Sequence, residues 1–525
     1  MKKNFSNWIL CLSGLKNPNF GKAETGTRIH VLLKGRVINM ETATLIQGLQ
    51  SIIGEAHVLT DEQAILTSAK DYIGYRRYER DKGAFRVNRA VCVVKPQNTD
   101  EVARVLAFLN ENKVDTTPRT GGSSVTRSIE PEVGGVILDG SDMNGVPEIN
   151  ETDMCVTVRC GTALEYLEEY LNERGFTSGH FPQSLPMAQI GGLIATRSIG
   201  QFSTMYGGIE DLLLGLEAVL ADGTVVRIKN NPRRSCGPDL RHLFLGSEGM
   251  LGFVTEATLK IFPYAPENRW MHAYSIMGMD NGLELIRGIV TQGYRPAVIR
   301  LHDAAEVEAL FGGEYPEDYC LLLFLAEGPA SLAAATGAAI EAAVQNEKYD
   351  IIDLGEKPVQ AWLETRNDEC RHMDKPTYSK YGAVADTCEI SANWSEIGSI
   401  YNAVKARLPE ELPNLIYVGG HSSHSYQTGT NIYFTFGYLA GKNPSNKAEN
   451  AEDTVEADYM QVIRVIMEET LARGGSIAHH HGSGKYRTQW MPEEHGTSYP
   501  LMYALKNALD PNGILNKGVL LVEDK

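Results

Sequence analysis

The chain lacks any run of about 18 consecutive apolar residues, the length a membrane-crossing helix requires, so an integral membrane segment is not expected. It also lacks positive charge: 49 Lys and Arg stand against 66 Asp and Glu, a formal net charge of -17. A general surface for nucleic acid is thereby excluded, and an anionic substrate would need a local basic pocket. The eight cysteines (Cys11, Cys92, Cys155, Cys160, Cys236, Cys320, Cys370, Cys388) form no CxxC pair and no zinc or iron–sulfur spacing. Buried free thiols in a reducing cytoplasm are the expectation. No repeat or low-complexity tract occurs, no Gly-Lys-Ser/Thr closes a Walker loop, and no G-x-G-x-x-G opens a strand–helix unit. Trp8 to Leu12 follow two lysines, but the run is too short for a secretory signal and no small-residue cleavage site follows it. Residues 1–39 are expected to be a poorly ordered arm, with Met40 as an alternative start directly before the first helical pattern.

What is present fits two to three domains of α+β character. Val102, Val105, Leu106 and Leu109 recur at helical spacing, with Thr99 read as the N-cap and Asp100 and Glu101 in the first turn. Short apolar strands are expected at residues 90–94, 135–138 and 155–158, and a second helix from Thr162 carries Leu164, Leu167 and Leu171. Residues 216–220 and 225–228 flank Asp222-Gly223, a hairpin-turn signal. After Pro263 longer helices, as at 330–343, alternate with strands at 320–325 and 431–436, which places a domain boundary near residue 266. A helix from about Tyr499, a last strand near Val519 and a closing segment returning to the first domain complete the reading.

Three segments are unusually rich in small residues. Pro118-Arg119-Thr120-Gly121-Gly122-Ser123-Ser124 lies between a helix and a strand, where small residues let backbone N–H groups approach an anion such as a pyrophosphate. Residues 182–200, with Gly191 and Gly192 followed by Thr196, Arg197, Ser198 and Ile199, suit backbone lying against a flat ligand. Gly246-Ser247-Glu248-Gly249 reads as a turn feeding a strand. Three adjacent imidazoles, His479, His480 and His481, sit beside glycines and cannot all be packed as core. At least one should face a cavity, where neutral imidazole accepts a proton near pH 7 and a tyrosine can donate or relay one.

Together, in this order and spacing, these segments resemble the FAD-binding domain of the vanillyl-alcohol oxidase and p-cresol methylhydroxylase superfamily. The run Leu138-Asp139-Gly140-Ser141-Asp142-Met143-Asn144, the stretch Tyr206-Gly207-Gly208-Ile209-Glu210-Asp211, and Gly237-Pro238-Asp239-Leu240 belong to the same pattern. It covers residues 86–265 closely and the rest more loosely. Within the superfamily the chain is most similar to alkyldihydroxyacetone-phosphate synthases and the bacterial FAD-linked oxidoreductases like them. The resemblance implies a PCMH-type FAD-binding domain over 40–265, a substrate-binding cap domain with an antiparallel sheet over 266–485, and residues 486–525 returning to the first domain. It places the FAD diphosphate and adenine side on residues 118–124. The other cofactor contacts fall on Gln183, Ser184, Leu185, Pro186, Met187, Ala188 and Gln189, on Gly191, Gly192 and Thr196 to Ile199, and on Glu248, Gly249, Met250, Leu251, Gly252, Phe253 and Val254. Ser123 and Ser124 stand where some relatives carry a histidine that bonds FAD covalently, so a non-covalent FAD is expected.

On the substrate side the resemblance matches Tyr433 to a catalytic tyrosine, His479, His480 and His481 to a histidine cluster, and Arg300 to a substrate arginine. The arginine that grips a phosphate in the synthase falls on Lys375, with Arg371 four residues earlier. The reading is an FAD-dependent oxidoreductase that oxidises a small hydroxy acid, sugar acid or alcohol by hydride transfer to flavin N5. The alternative is a flavin-dependent transferase of the alkyldihydroxyacetone-phosphate synthase type. The partners expected are a small anionic substrate and an electron acceptor the sequence does not identify, and a homodimer is a possible assembly. No resident metal is assigned. The competing use is a divalent ion held by His421 and His424 with His480 or His481, against which stands the absence of an acidic ligand in the matching positions.

Overall fold

The computed structural model describes residues 41–523 apart from 85–86, 88, 312–314 and 447–450; the expected arm at 1–39 lies outside the described residues. A four-stranded sheet runs in the order Val58–Leu59, Cys92–Val94, Val136–Asp139, Thr116–Arg119, and the last three strands are parallel. Helix Thr99–Glu111 connects two of them and buries Val102, Val105, Leu106 and Leu109 against Val94, Val136 and Leu138. Its cap is one residue earlier than the sequence reading places it. Asn98 accepts the N–H of Glu101 at 3.0 Å, which leaves Thr99 inside the helix with its hydroxyl on Glu217 Oε1 at 2.6 Å. Pro118 is tolerated because Thr116–Arg119 is an edge strand. At its carboxyl end the chain passes straight into the glycine loop, the place where ligands bind on parallel sheets.

A second, antiparallel sheet has the order Glu148–Asn150, Cys155–Arg159, Phe253–Lys260, Leu213–Val219, Val225–Ile228. Asp222-Gly223 turns between the last two in space as expected. Gly223 has φ +86°, and a Cβ there would lie 2.5 Å from Ala103 O, so helix Thr99–Glu111 packs onto the turn itself.

The third sheet is seven-stranded and antiparallel throughout: Ile351–Gly355, Trp270–Met277, Tyr319–Ala326, Val298–His302, Leu415–Ser422, Gly429–Leu439, Ala383–Asn393. Side chains alternate across it with period two. Ile299, Leu301, Ile432, Phe434, Phe436, Cys388 and Ile390 enter a core shared with helices Met279–Thr291 and Trp394–Glu411. Arg300, His302, Tyr433, Thr435 and Glu389 are the alternate residues and therefore point to the other face.

Helix Tyr499–Leu509 forms where expected, but no strand forms at Val519. Leu520 has φ +63°, incompatible with extended pairing, and its N–H goes to Thr488 Oγ1 at 3.1 Å. The chain instead bridges at Leu515: Thr116 N donates to Ile514 O at 2.7 Å and Asn516 N to Thr116 O at 2.9 Å. Of the described cysteines Cys236 is exposed, unlike the expected buried thiol, and the others are buried.

Candidate active site

Strand register builds one wall of the site. Glu389 pairs with Tyr433, Tyr433 with His421, and His421 with His302, so four chemically active side chains form one row across four strands. The His421 and Tyr433 rings stack at 4.6 Å and those of His302 and His421 at 4.9 Å. The histidine run closes over this row. Tyr433 is hydrogen-bonded to His480 Nε2 and lies 3.4 Å from His481 Nε2, His480 Nδ1 meets His479 Nδ1 at 2.7 Å, and His479 Nε2 meets the Tyr426 hydroxyl at 2.8 Å. Burial, then the neighbouring imidazoles, hold His480 well below the usual histidine range, and His479 falls to about 4. Both are neutral near pH 7. Burial likewise pushes the Tyr433 phenol up, so it is protonated.

Glu389 anchors the run. It accepts the backbone N–H groups of His480 at 3.3 Å and His481 at 3.0 Å and pairs with Arg487 at 2.7 Å, both side chains being fully enclosed. His481 Nδ1 lies 2.8 Å from its Oε2, off the line of a good hydrogen bond. Burial works to raise this carboxyl, but Arg487 and the imidazoles outweigh it and hold it well below the carboxylate range. Glu248 ties the other end of the run to the cofactor side, accepting N–H groups of Ser483 at 2.7 Å and Gly484 at 3.0 Å.

The histidines divide differently from the metal reading. His424 joins His479 and His480, while His421 joins His302 and an acidic residue, Glu306, that the sequence reading did not place there. Glu306 stands four residues after His302 and caps into Asp303 through its own N–H at 2.8 Å. Its carboxylate takes His302 Nδ1 at 2.7 Å, His421 Nδ1 at 2.9 Å and the Thr435 hydroxyl at 2.5 Å. Burial opposes its ionisation, yet His421 and His302 hold it well below the usual range.

The glycine loop forms the opposite kind of surface. A Cβ on Gly121 would meet Met187 O at 2.3 Å, and Gly122 has φ +67°. The backbone N–H groups of Gly121, Gly122 and Ser123 donate to no acceptor among the described residues. Behind the loop, buried Asp71 accepts Ser124 Oγ at 2.6 Å and Arg127 N at 2.9 Å. Loop and histidine wall border one cavity of about 1280 Å³, above the roughly 300–1,000 Å³ of ordinary small-molecule sites and large enough for a dinucleotide and a second molecule.

Pro118, Arg119, Thr120, Gly121, Gly122, Ser123 and Ser124 line that cavity, as do Gln183, Ser184, Ala188, Gln189, Gly191, Gly192, Thr196, Ser198, Ile199, Glu248, Gly249, Gly252, Phe253, Val254, Arg300, Lys375, Tyr433, His480 and His481. Others of the expected set do not. Leu185 packs in the core of the second sheet, and Met250 and Leu251 in that of the third. Pro186 and Met187 are off the wall, Met187 meeting Gly121 through its carbonyl, and Arg197 turns outward to Glu210. His479 stands behind His480. Arg371 is spent on Glu165 at the surface, so of the two candidates for the missing arginine only Lys375 reaches the cavity.

Sequence reasoning missed Arg366. It lines the cavity, bonds Leu363 O at 2.7 Å, has a buried Nε without a partner, and shares Trp362 with Arg300, their guanidinium carbons lying 6.0 and 5.2 Å from its rings. Burial lowers both arginines to about 10. Arg366 stands one helical turn after Trp362, a spacing legible in the sequence. The alternation Arg300, His302 in an apolar strand was a similar signal.

A model of the FAD binding domain matches residues 90–229 and one of the FAD linked oxidases, C-terminal domain, matches residues 266–520. The FAD-linked oxidoreductase YgcU of Escherichia coli O157:H7 is 41% identical over 496 residues, 93% of this chain and 100% of that protein. The chain belongs to the FAD-linked oxidoreductases. FAD is accordingly the cofactor of this enzyme. Glycolate oxidase subunit GlcD of Bacillus subtilis is 26% identical across 82% of this chain and 89% of its own length. Among solved structures, an alkyldihydroxyacetonephosphate synthase superposes with a TM-score of 0.74 at 21% identity, covering 93% of this chain and 87% of that one. The residues present suit an FAD-linked oxidoreductase: a loop with three unengaged N–H groups and no room for a Cβ fits a diphosphate. Among the described residues no helix is long and apolar enough to cross a membrane.

Proposed function

We propose that the protein oxidises a small anionic hydroxy compound, a 2-hydroxy acid or sugar acid before a simple alcohol, with FAD held non-covalently. The observation that carries this reading is the pair Arg300 and Arg366: a buried and a half-buried guanidinium on one cavity, neither with a carboxylate partner among the described residues. Buried cations are costly unless paired, so an anionic ligand completes the site. Lys375 adds a point charge at the same cavity. Gly121, Gly122 and Ser123 would hold the diphosphate, and Gln183, Ser184, Ala188, Gln189, Gly191, Gly192, Thr196, Ser198, Ile199, Glu248, Gly249, Gly252, Phe253 and Val254 the rest of the cofactor. Bound FAD supplies the two-electron acceptor for a hydrogen leaving carbon with its electron pair. The protein's own part is to grip the anion and to take the hydroxyl proton on the wall formed by His421, Tyr433, His480 and His481.

The test is anaerobic mixing of the yellow protein with a panel of 2-hydroxy acids, sugar acids and alcohols. At least one should bleach the flavin in a single turnover. The second reading, a synthase-type transferase, is favoured by the histidine run facing Tyr433 and by the likeness to a synthase structure. It would replace the first if no hydroxy compound bleached the flavin while acyl-dihydroxyacetone phosphate and a long-chain alcohol gave an ether product at catalytic rates.

A further inference from the structure

Within the oxidoreductase reading, we propose that His421 Nε2 is the base that removes the substrate's hydroxyl proton, with Glu306 as the residue that positions it. Six imidazoles line the cavity, and their nitrogens are not equally free. His480 spends Nδ1 on His479 and Nε2 on Tyr433. His302 spends Nδ1 on Glu306 and Nε2 on Arg300 Nε, 3.2 Å away. His481 lies between Glu389 and Tyr433, and the charge of Glu389 is already matched by Arg487. His424 Nδ1 meets Ser203 Oγ at 2.9 Å with no carboxylate behind it, and His372 Nδ1 is 3.3 Å from the Lys375 ammonium. His421 differs from all five: Nδ1 lies 2.9 Å from both oxygens of Glu306, and Nε2 has no hydrogen-bond partner among the described residues.

The tautomer follows from the acceptors. An ionised carboxylate can only accept, so His421 Nδ1 carries the proton and Nε2 the lone pair. A metal at His302, Glu306 and His421, whose donor atoms lie within 4.8 Å of one another, would compete with this arrangement. The N–H of Arg300 occupies the lone pair of His302 Nε2 and places the proton on Nδ1, so a metal there would have to displace that hydrogen bond or the Nδ1 proton.

The groups facing His421 are Glu306, His302, Tyr433 and, further off, His424, and around Glu306 itself stand Arg300, Tyr401, Tyr417 and the Asp303–Lys405 pair. Among the described residues Glu306 alone places a carboxylate against it. Among the described residues no Lys or Arg contacts the Glu306 carboxylate, so proton uptake by His421 adds a direct ion pair to a buried charge otherwise held by neutral donors, as in other base–carboxylate dyads. With bound FAD as the two-electron acceptor the step would balance: the carbon's hydrogen would leave with its electron pair, the C–O single bond would become a carbonyl, and the hydroxyl proton would move to His421 Nε2. Tyr433, stacked on His421 and protonated, donates to the same oxygen and orients it.

Glu306→Gln keeps the shape and removes the charge. Nitrogen-15 imidazole NMR, on protein with and without FAD, should then show the His421 pKa falling by at least about one unit, because the imidazolium loses its partner. Flavin reduction should slow on the order of 10²-fold, with the rising limb of its pH profile moved to lower pH. His421→Ala should slow it as much and be rescued by added imidazole in proportion to the free base. The NMR result needs no substrate, so an unshifted pKa overturns the dyad, whereas a shifted pKa with no reducing substrate overturns the oxidoreductase reading. A His421→Ala rate within about threefold of wild type also overturns it. So does one equivalent of transition metal lost with either substitution.

Discussion

Around residues 120–124 the cavity wall is backbone: glycines with no space for a Cβ, three N–H groups with no acceptor among the described residues, and a buried carboxyl bracing the far end. Along the row Glu389, Tyr433, His421 and His302 it is side chain, held by pairing across four strands, by Glu306 against the two histidines and by Glu389 against the histidine run. The first kind of surface binds by shape and dipole and fails when atoms are added. The second works by proton placement and fails when a single atom is exchanged without loss of shape. Binding and chemistry should therefore separate by mutation.

The largest effect is expected at the loop. Gly122→Glu puts a side chain on a residue with φ +67°, its Cβ 2.3 Å from Arg119 Nη2, and brings a carboxylate to the proposed diphosphate site. The purified variant should be colourless with normal far-ultraviolet circular dichroism. Wild-type flavin content would remove the loop from the cofactor site and collapse the contrast.

Across the cavity the opposite is expected. Tyr433→Phe and His480→Ala should keep their FAD and lose turnover on the order of 10²-fold, the usual scale for groups that place or move a proton. Each removes one member of the Tyr433–His480 hydrogen bond. If either loses flavin in proportion to activity, the wall is part of the cofactor cradle and the two halves are one.

The same contrast explains what could be read from sequence. The loop, the small-residue stretch at 182–200 and the turn at 246–249 are local, so composition alone marks them, and helix Thr99–Glu111 and the hairpin at Asp222-Gly223 follow from periodicity and turn chemistry. The row across the third sheet is not local. Glu389 and His302 meet Tyr433 and His421 only through register, which no pattern within one strand specifies. Glu306 was missed because its partners His302 and His421 come from two strands joined only by register, and Arg371 was matched to the missing arginine together with Lys375 because counting along the chain cannot tell that Glu165 will neutralise it. The strand expected at Val519 failed on a backbone angle at Leu520 that hydrophobicity does not reveal.

The smallest effect should come from the carboxyl behind the loop. Burial, reinforced by Glu130, raises Asp71 from 3.8 to about 7, although Ser124 Oγ and the N–H groups of Ile73 and Arg127 oppose the shift. Native protein then binds more protons than unfolded chain between those values, so this residue's contribution to stability is complete below about 3.8 and lost as pH rises through about 7. The charge that forms sits one hydrogen bond behind the loop that would face the diphosphate, and like charges repel across a poorly solvated gap. FAD affinity should weaken from about pH 6 to 8, by less than the roughly tenfold per unit that one proton allows. Asp71→Asn should flatten much of that slope while binding FAD as well at low pH. Glu248, also raised to about 7 by burial and on the cavity wall, titrates in the same window, so Glu248→Gln should remove most of what remains. Equal slopes in wild type and Asp71→Asn would mean that the backbone cradle is indifferent to the charge behind it.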